Sequence, residues 1–149
     1  MQRFTKLYLD LDASNRTTSK LAALKRYFID VPHEDGAWAV FFLTGNRLKQ
    51  PVPSKLFREW GSEACGFPEW MLDECYDHVG DLAETLTLLI AGPRKENSGV
   101  FDKPLHQIVE EVILPLRDME PAAQRDRLTE VWAAMDSASC FLFNKLITG

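Results

Sequence analysis

The apolar residues of this chain recur at helical spacing, and this pattern constrains the fold more than any other feature of the sequence. Phe4, Leu7, Tyr8 and Leu11 fall at positions i, i+3, i+4 and i+7, which share one face of an α-helix. No stretch alternates apolar and polar residues as a half-buried strand would. The chain has 149 residues, of which 46% are hydrophobic, enough for one core. We predict an all-α single domain of about nine helices over residues 1–149.

Glycine and proline residues mark where these helices should end and begin. Glycine tolerates the left-handed conformation that closes many helices, and proline suits the first helical turn. In the second half of the chain, a helix should begin near Leu105, and Pro115 should kink or end it. The last two helices should begin at Pro121 and Asp136. The other expected helices cover residues 34–44, 53–65 and 68–79, closed by Gly45, Gly66 and Gly80.

Two helix starts carry residues that can act as caps. The segment TTS at 17–19 can cap the second helix through its hydroxyls. Asp81 and Glu84 have capping-box spacing ahead of the apolar run 82–90. The predicted buried face of the second helix consists of Leu21, Leu24, Tyr27 and Phe28.

A repeat divides the domain into two halves. Residues 92–102 are rich in glycine and charge and should form the loop that joins residues 1–91 to residues 103–149. When the sequence is shifted by 104 residues, Thr44-Gly45 falls on Thr148-Gly149 at the end of a similar apolar helix. A chance match of two amphipathic helix pairs is the alternative. If the repeat is real, a pseudo-twofold axis relates the halves and makes the two helix ends equivalent.

The charge of the chain is unevenly distributed. The net charge is −5, but residues 1–58 hold ten Lys/Arg and five Asp/Glu, a net of +5, while residues 59–149 carry a net of −10. A local basic patch, and not the total charge, determines phosphate binding. The sequence is therefore compatible with a nucleic-acid partner. It is also compatible with a helical protein–protein interaction domain, which the acidic second half and the many aromatic residues favour.

Several classes of protein are disfavoured by the composition. No apolar run approaches the roughly 20 residues that span a bilayer, and the acids near the start argue against a signal peptide. The three cysteines are an odd number without framework spacing, which favours reduced thiols and a cytoplasmic protein. Cys75 and His78 could chelate from one helix, but no second pair completes a zinc site. We expect no metal site.

Four segments, read in order, resemble a known family: TTSKLAALKRYF, WAVFFLTGNRLKQ, VGDLAETLTLL and FNKLITG. Together they are similar to the N-terminal DNA-binding domain of ATP-dependent DNA ligases, and most to the bacterial form found beside a helicase. The resemblance covers nearly the whole chain. It implies sequence-independent binding of duplex, nicked DNA along the minor groove and phosphates, with a cytoplasmic, nucleoid-associated location. It also implies that FNKLITG continues into a Gly-x-Arg-x-Gly segment and catalytic domains, so that this chain is part of a longer protein.

The chemistry of that family is not expected within these residues. The parent enzymes use ATP and Mg²⁺ to form lysyl-AMP on a Lys-x-Asp-Gly motif, transfer AMP to the DNA 5′-phosphate and seal the nick. No lysine here is followed by x-Asp-Gly, and Asp35-Gly36 is preceded by His33-Glu34. We predict no catalytic residue and no cofactor within these residues. The expected partners are DNA, the catalytic domains of the same chain and a helicase.

The candidate DNA-contacting residues follow from the repeat and the resemblance. In the first half they are Gly45, Arg47, Lys49 and Gln50, where an exposed glycine permits close backbone approach and the basic side chains suit phosphates. A solvated basic loop is the alternative. The equivalent set is Lys145, Thr148 and Gly149, although Lys145 could simply extend its ammonium group to solvent.

Two helix starts supply further candidates. Thr18 and Lys20 open the second helix, where free amides can bind phosphate, although the threonines could serve only as caps. Gly80 could offer its backbone to DNA, with Asp81 fixing the turn. Lys25 and Arg26 could face phosphates as a row, or they could be ordinary solvent-exposed charges. The sequence does not distinguish these two interpretations.

Overall fold

The computed structural model describes residues 1–91 and 102–149, and within these ranges it contains nine helical stretches and no strand. The all-α prediction is confirmed. The seventh stretch, α7, begins as an α-helix at Leu105–Gln107, continues as a π-helix at Ile108–Ile113 and ends as a 3-10 helix at Leu114–Asp118. The others are α1 (Gln2–Asp12), α2 (Thr17–Asp30), α3 (His33–Leu43), α4 (Ser54–Cys65), α5 (Glu69–Val79), α6 (Leu82–Ala91), α8 (Pro121–Ala134) and α9 (Ser137–Thr148).

The predicted helix ends are confirmed at the glycines. Gly45, Gly66 and Gly80 have φ angles of 86°, 75° and 78°, in the left-handed region that glycine adopts most easily. Pro53 and Pro68 lie immediately before α4 and α5, one residue ahead of the first turn. The predicted loop 92–102 lies, apart from Asp102, outside the described residues.

The capping prediction for α6 is confirmed, and Asp136, predicted to mark the start of the last helix, caps α9. The side chain of Asp81 accepts a hydrogen bond from the Glu84 amide at 3.0 Å, and that of Asp136 accepts one from the Ser139 amide at 3.0 Å. Pro115 lies in the 3-10 part of α7, where regular α-geometry has been lost, as a residue without an amide hydrogen requires.

The prediction for α2 was wrong in two respects. The N-cap is Arg16, and no side chain caps this helix, so the hydroxyls of segment 17–19 do not cap it. Leu21 and Phe28 are 51% and 40% exposed, whereas Ala23 and Tyr27 are buried. The reason is that α1 packs against the face of α2 that carries Ala23 and Tyr27, with 6.0 Å between the rings of Phe4 and Tyr27.

The core joins the two halves of the chain. α6 packs along α9, α4 contacts α8, and α1 also contacts α9. At the centre, the buried amide of Asn144 accepts a hydrogen bond from Trp132 Nε1 at 2.8 Å and donates one to Thr87 Oγ1 at 3.2 Å. Because these residues lie on α9, α8 and α6, the network fixes three helices relative to one another.

A second connection joins α3 to α7. Asp35 is buried, and its Oδ1 accepts a hydrogen bond from the His106 amide at 2.8 Å and lies 2.6 Å from His106 Nδ1. Trp38 Nε1 donates to Glu110 Oε1 at 2.8 Å. These contacts hold α3, which ends at Gly45, against the second half.

The helix bounds repeat at the offset found in the sequence. α2 and α8 cover Thr17–Asp30 and Pro121–Ala134, an offset of 104 residues at both ends, and α3 and α9 begin at His33 and Ser137 with the same offset. Each half therefore contains a 14-residue helix followed by a helix that ends in Thr-Gly. The pseudo-twofold axis itself stays a prediction.

Candidate nucleic-acid interface

The ends of α3 and α9 meet at one cleft against α1. We call this the helix-end cleft. Its floor is apolar and its rim carries backbone and basic groups. The floor is formed by Phe4, Tyr8, Phe42, Leu43, Leu142 and Leu146, and the rim by Gly45, Asn46, Arg47, Lys145 and Gly149.

The end of α3 is closed by a Schellman motif. The Asn46 amide donates to the Phe41 carbonyl at 3.2 Å, and the Gly45 amide donates to the Phe42 carbonyl at 3.0 Å. The Thr44 hydroxyl donates to the Val40 carbonyl at 2.7 Å. The chain then turns sharply at Gly45, which is exposed and has nothing within 4 Å of the position a Cβ would take. This turn leaves the backbone open at the rim.

The end of α9 shares the threonine bond and the glycine conformation of this arrangement, whereas its Gly149 amide donates to the Lys145 carbonyl at 2.9 Å. Thr148 donates its hydroxyl to the Asn144 carbonyl at 3.0 Å, the same i to i−4 bond that Thr44 makes. Gly149 has a φ of 91°, close to the value at Gly45. A Cβ at Gly149 would lie 3.3 Å from Arg47 Nη1, so the Arg47 side chain lies directly against the second helix end.

Lys145 is held by an acid from another helix. Its ammonium group forms an ion pair with the carboxylate of Asp81, the residue that caps α6. Burial by itself raises the pKa of Asp81, but hydrogen bonds from Lys145 and the Glu84 amide, together with the charge of Lys145, bring this pKa below its ordinary value. The pair fixes the α6 start, and with it Gly80, beside α9.

The electrostatics of the cleft depend on its side chains. Both helix ends at the rim are C-termini, where the helix dipole favours cations and disfavours phosphates. Phosphate affinity must therefore come from Arg47, Lys145 and the residues beyond Gly45. Within residues 1–91 and 102–149, no acid forms an ion pair with Arg47 or Lys49, and both side chains are exposed.

Some of the predicted DNA-contacting residues lie together in the structure. Gly45, Arg47, Lys145 and Gly149 lie at the cleft, and Thr148 lies in the last turn of α9 beside them. Gly80 does not line the cleft, but the residue after it, Asp81, forms the ion pair with Lys145.

The remaining predicted residues lie away from the rim. Lys49 and Gln50 follow in the exposed loop before α4, where Gln50 Nε2 donates to Ser54 Oγ at 2.9 Å. Thr18 and Lys20 do not line the cleft and lie in the first turn of α2, which runs antiparallel to α1.

Two residues at the site were missed. Asn46 lies on the rim, and its Nδ2 donates to Thr44 Oγ1 at 3.0 Å. Its position directly after the helix-ending Gly45 was the signal that could have found it. Asp81 was identified as a cap, but its pairing with Lys145 spans 64 residues of sequence and left no local signal.

A comparison with known proteins identifies the family of this chain. A family model described as DNA ligase N terminus matches residues 1–149, the whole of the chain. The chain belongs to this family of N-terminal domains of ATP-dependent DNA ligases. No curated protein matches the sequence significantly.

The described part of this ligase domain offers few other functional constellations. Across residues 1–91 and 102–149, no three His, Cys, Asp or Glu residues are grouped as a metal ion would require. In the same ranges no helix is long and apolar enough to cross a membrane. Because it brings together two helix ends and the side chains of Arg47 and Lys145, we take the helix-end cleft as the candidate functional surface.

Proposed function

We propose that this ligase domain binds duplex DNA without sequence preference, along the minor groove and the phosphate backbone, as a module of an ATP-dependent DNA ligase. The observation that carries the proposal is the meeting of two repeated Thr-Gly helix ends at one cleft whose rim bears Arg47 and Lys145. Catalytic domains of the same protein then carry out sealing through lysyl-AMP and DNA-adenylate, and they, not this domain, use ATP and Mg²⁺. A helicase partner and a nucleoid-associated cytoplasmic location belong to the same proposal.

The chemistry of the rim supports backbone binding over base reading. Glycine at positions 45 and 149 lets a ligand approach the main chain closely. Arg47 at the rim and Lys49 in the loop that follows it provide exposed charge for phosphates. Phosphate contacts fix position on the duplex without carrying sequence information. A ligase domain that must accept a nick in any sequence needs contacts of this sequence-independent kind.

A charge-reversal pair tests the proposal. Arg47→Glu combined with Lys49→Glu should weaken binding to all duplex sequences alike, by about tenfold or more at low salt. It should also reduce the dependence of log affinity on log salt by about two, since two phosphate contacts are lost. The matched control is Arg125→Glu with Arg127→Glu on α8, which changes the net charge equally at residues that do not line the cleft.

Two other outcomes of this binding experiment would contradict the assignment. If both double variants weaken binding to the same extent, net charge and not the helix-end cleft governs affinity. If the effect is confined to one DNA sequence, the assignment to backbone contacts is wrong.

A second candidate function is protein interaction. Ile29, Trp70 and Leu88 are 81%, 68% and 57% exposed, so large apolar side chains are available to contact a partner. Binding by such residues would change little with ionic strength, whereas a DNA grip weakens steeply with salt. The salt dependence of binding therefore separates the two functions.

A further inference from the structure

The ion pair between Lys145 and Asp81 has a consequence for DNA binding. Lys145 is one of only two basic side chains that line the helix-end cleft among the described residues, the other being Arg47. Lys145 has a carboxylate already in place beside its ammonium group, whereas Arg47 forms no ion pair with a described acid. The two cations therefore differ in how readily they can accept a phosphate.

Asp81 is fixed where it stands. One carboxylate oxygen, Oδ1, accepts the Glu84 amide at 3.0 Å, while the other, Oδ2, contacts Lys145. Its carbonyl accepts hydrogen bonds from the Thr85 amide at 2.9 Å and the Thr85 hydroxyl at 2.7 Å. An acid held by its own helix start cannot swing away when a ligand arrives, so any exchange must come from the lysine.

Lys145 has the freedom to make that exchange. The side chains of Lys145 and Asp81 keep 33% and 28% of their surface exposed, so the pair is reachable from solvent. A partly exposed ion pair contributes little net free energy, and a phosphate can compete with it. The lysine is long and flexible, and its neighbours on the rim are glycine and loop residues.

We propose that Asp81 is an intramolecular competitor that restrains Lys145 and lowers the affinity of the domain for DNA phosphates. This inference rests on the proposed function, because it assigns a role to one residue of the same interface. In the free domain Lys145 is neutralised by Asp81, and on the duplex it exchanges that carboxylate for a phosphate. Asp81 does not touch the DNA and sets affinity only through the lysine.

Asp81→Asn is the variant that isolates this effect. Asparagine has nearly the same shape and is as good an N-cap as aspartate, so it keeps the bond to the Glu84 amide and removes only the charge. We expect binding to duplex DNA to become about two- to fivefold tighter at low salt, the range a partly exposed pair allows. The slope of log affinity against log salt should change by less than about one, because Lys145 neutralises the same phosphate in the parent and in the variant.

Two further variants make the test specific. Glu84→Gln removes an exposed carboxylate three residues farther along the chain, in α6, that forms no ion pair with Lys145 in the described structure, and should change affinity by less than about 1.5-fold. Lys145→Met removes the ammonium group, and in that background Asp81→Asn should no longer tighten binding. Circular dichroism and thermal unfolding of each variant establish that the fold is kept.

The outcomes separate this inference from the proposed function. Tighter binding by Asp81→Asn alone, abolished by Lys145→Met, supports the competitor role. Weaker binding by Asp81→Asn would mean that Asp81 orients Lys145 productively, and an equal gain with Glu84→Gln would mean a general charge effect; either result overturns the inference while the duplex-binding function stands. If the unaltered domain binds no duplex at low salt, the proposed function fails, and this inference fails with it.

Discussion

Gly61 lies where α4 packs against α6, and its replacement is a direct test of how closely these helices approach. A Cβ at position 61 would lie 2.2 Å from Cδ2 of Leu86 and 3.4 Å from both Cδ1 and Cγ of that residue. Leu86 is fully buried, so its methyl groups have no free volume to move into. We therefore predict that Gly61→Ala destabilises the domain although alanine is the better helix former.

The magnitude follows from two opposing terms. Alanine in place of a helical glycine gains about 1 kcal/mol from helix propensity. Forcing a methyl group into a packed core costs about 1–3 kcal/mol, and a separation of 2.2 Å belongs near the upper end. The net loss should be about 1–2 kcal/mol, which lowers the Tm of a domain of this size by about 2–8 °C.

Gly36→Ala on α3 is the matched control. There a Cβ would lie 3.6 Å from Cδ1 of Phe28, an ordinary van der Waals distance, and Phe28 is partly exposed and can adjust. The same substitution should stabilise the domain by about 0.5–1 kcal/mol. Thermal and urea unfolding of both variants would measure the difference. A Tm for Gly61→Ala equal to or above that of the parent would show that Leu86 does not block a side chain at position 61.

A double-mutant cycle with Leu86 tests whether this side chain causes the destabilisation by Gly61→Ala. In a Leu86→Ala background the side chain that blocks the new methyl is gone, so Gly61→Ala should cost at least about 1 kcal/mol less than it does alone. An unchanged cost would place the strain elsewhere than at Leu86.

Two further predictions concern caps and charge. Asp136→Ala should destabilise the domain by about 1 kcal/mol, because it removes the acceptor for the Ser139 amide at the start of α9; in urea unfolding the exposed control Asp126→Ala should stay within about 0.5 kcal/mol of the parent. Because the folded pKa of Asp81 is lowered by its bond to Lys145, its stabilising contribution is complete above the ordinary value of 3.8 and is lost as the pH falls below that value. The urea midpoints of the parent and of Asp81→Asn should therefore differ at about pH 6, and the difference should shrink as the pH is lowered below 3.8. A difference that stays constant in acid would contradict the assignment.

The helix boundaries could be predicted from the sequence because they depend on neighbouring residues. Gly66 and Gly80 adopt the left-handed conformation for which glycine is suited, and Asp81 and Asp136 cap the helices that follow them. These features depend on a few neighbouring residues, so a single sequence contains the information they need. The repeat also pointed to Gly45 and Gly149 as equivalent helix ends.

Tertiary packing accounts for what could not be predicted. The apolar pattern of α2 is broad enough to fit several buried faces, and contact with α1 selected the one with Ala23 in place of Leu21. The pairing of Lys145 with Asp81 likewise depends on how α9 lies along α6. A basic residue can be recognised as a candidate contact from sequence, but whether an acid already occupies it is a property of the fold.

The most direct test of duplex binding is fluorescence anisotropy with three labelled DNAs: a nicked duplex, an intact duplex and a single strand, each at about 50 mM and about 200 mM salt. The proposed function predicts that the domain binds both duplexes with an affinity that falls steeply with salt and binds the single strand more weakly. It also predicts a marked loss of duplex affinity for the Arg47→Glu, Lys49→Glu variant. Absence of binding to either duplex at the lower salt concentration, or binding that salt and the variant leave unchanged, would contradict it.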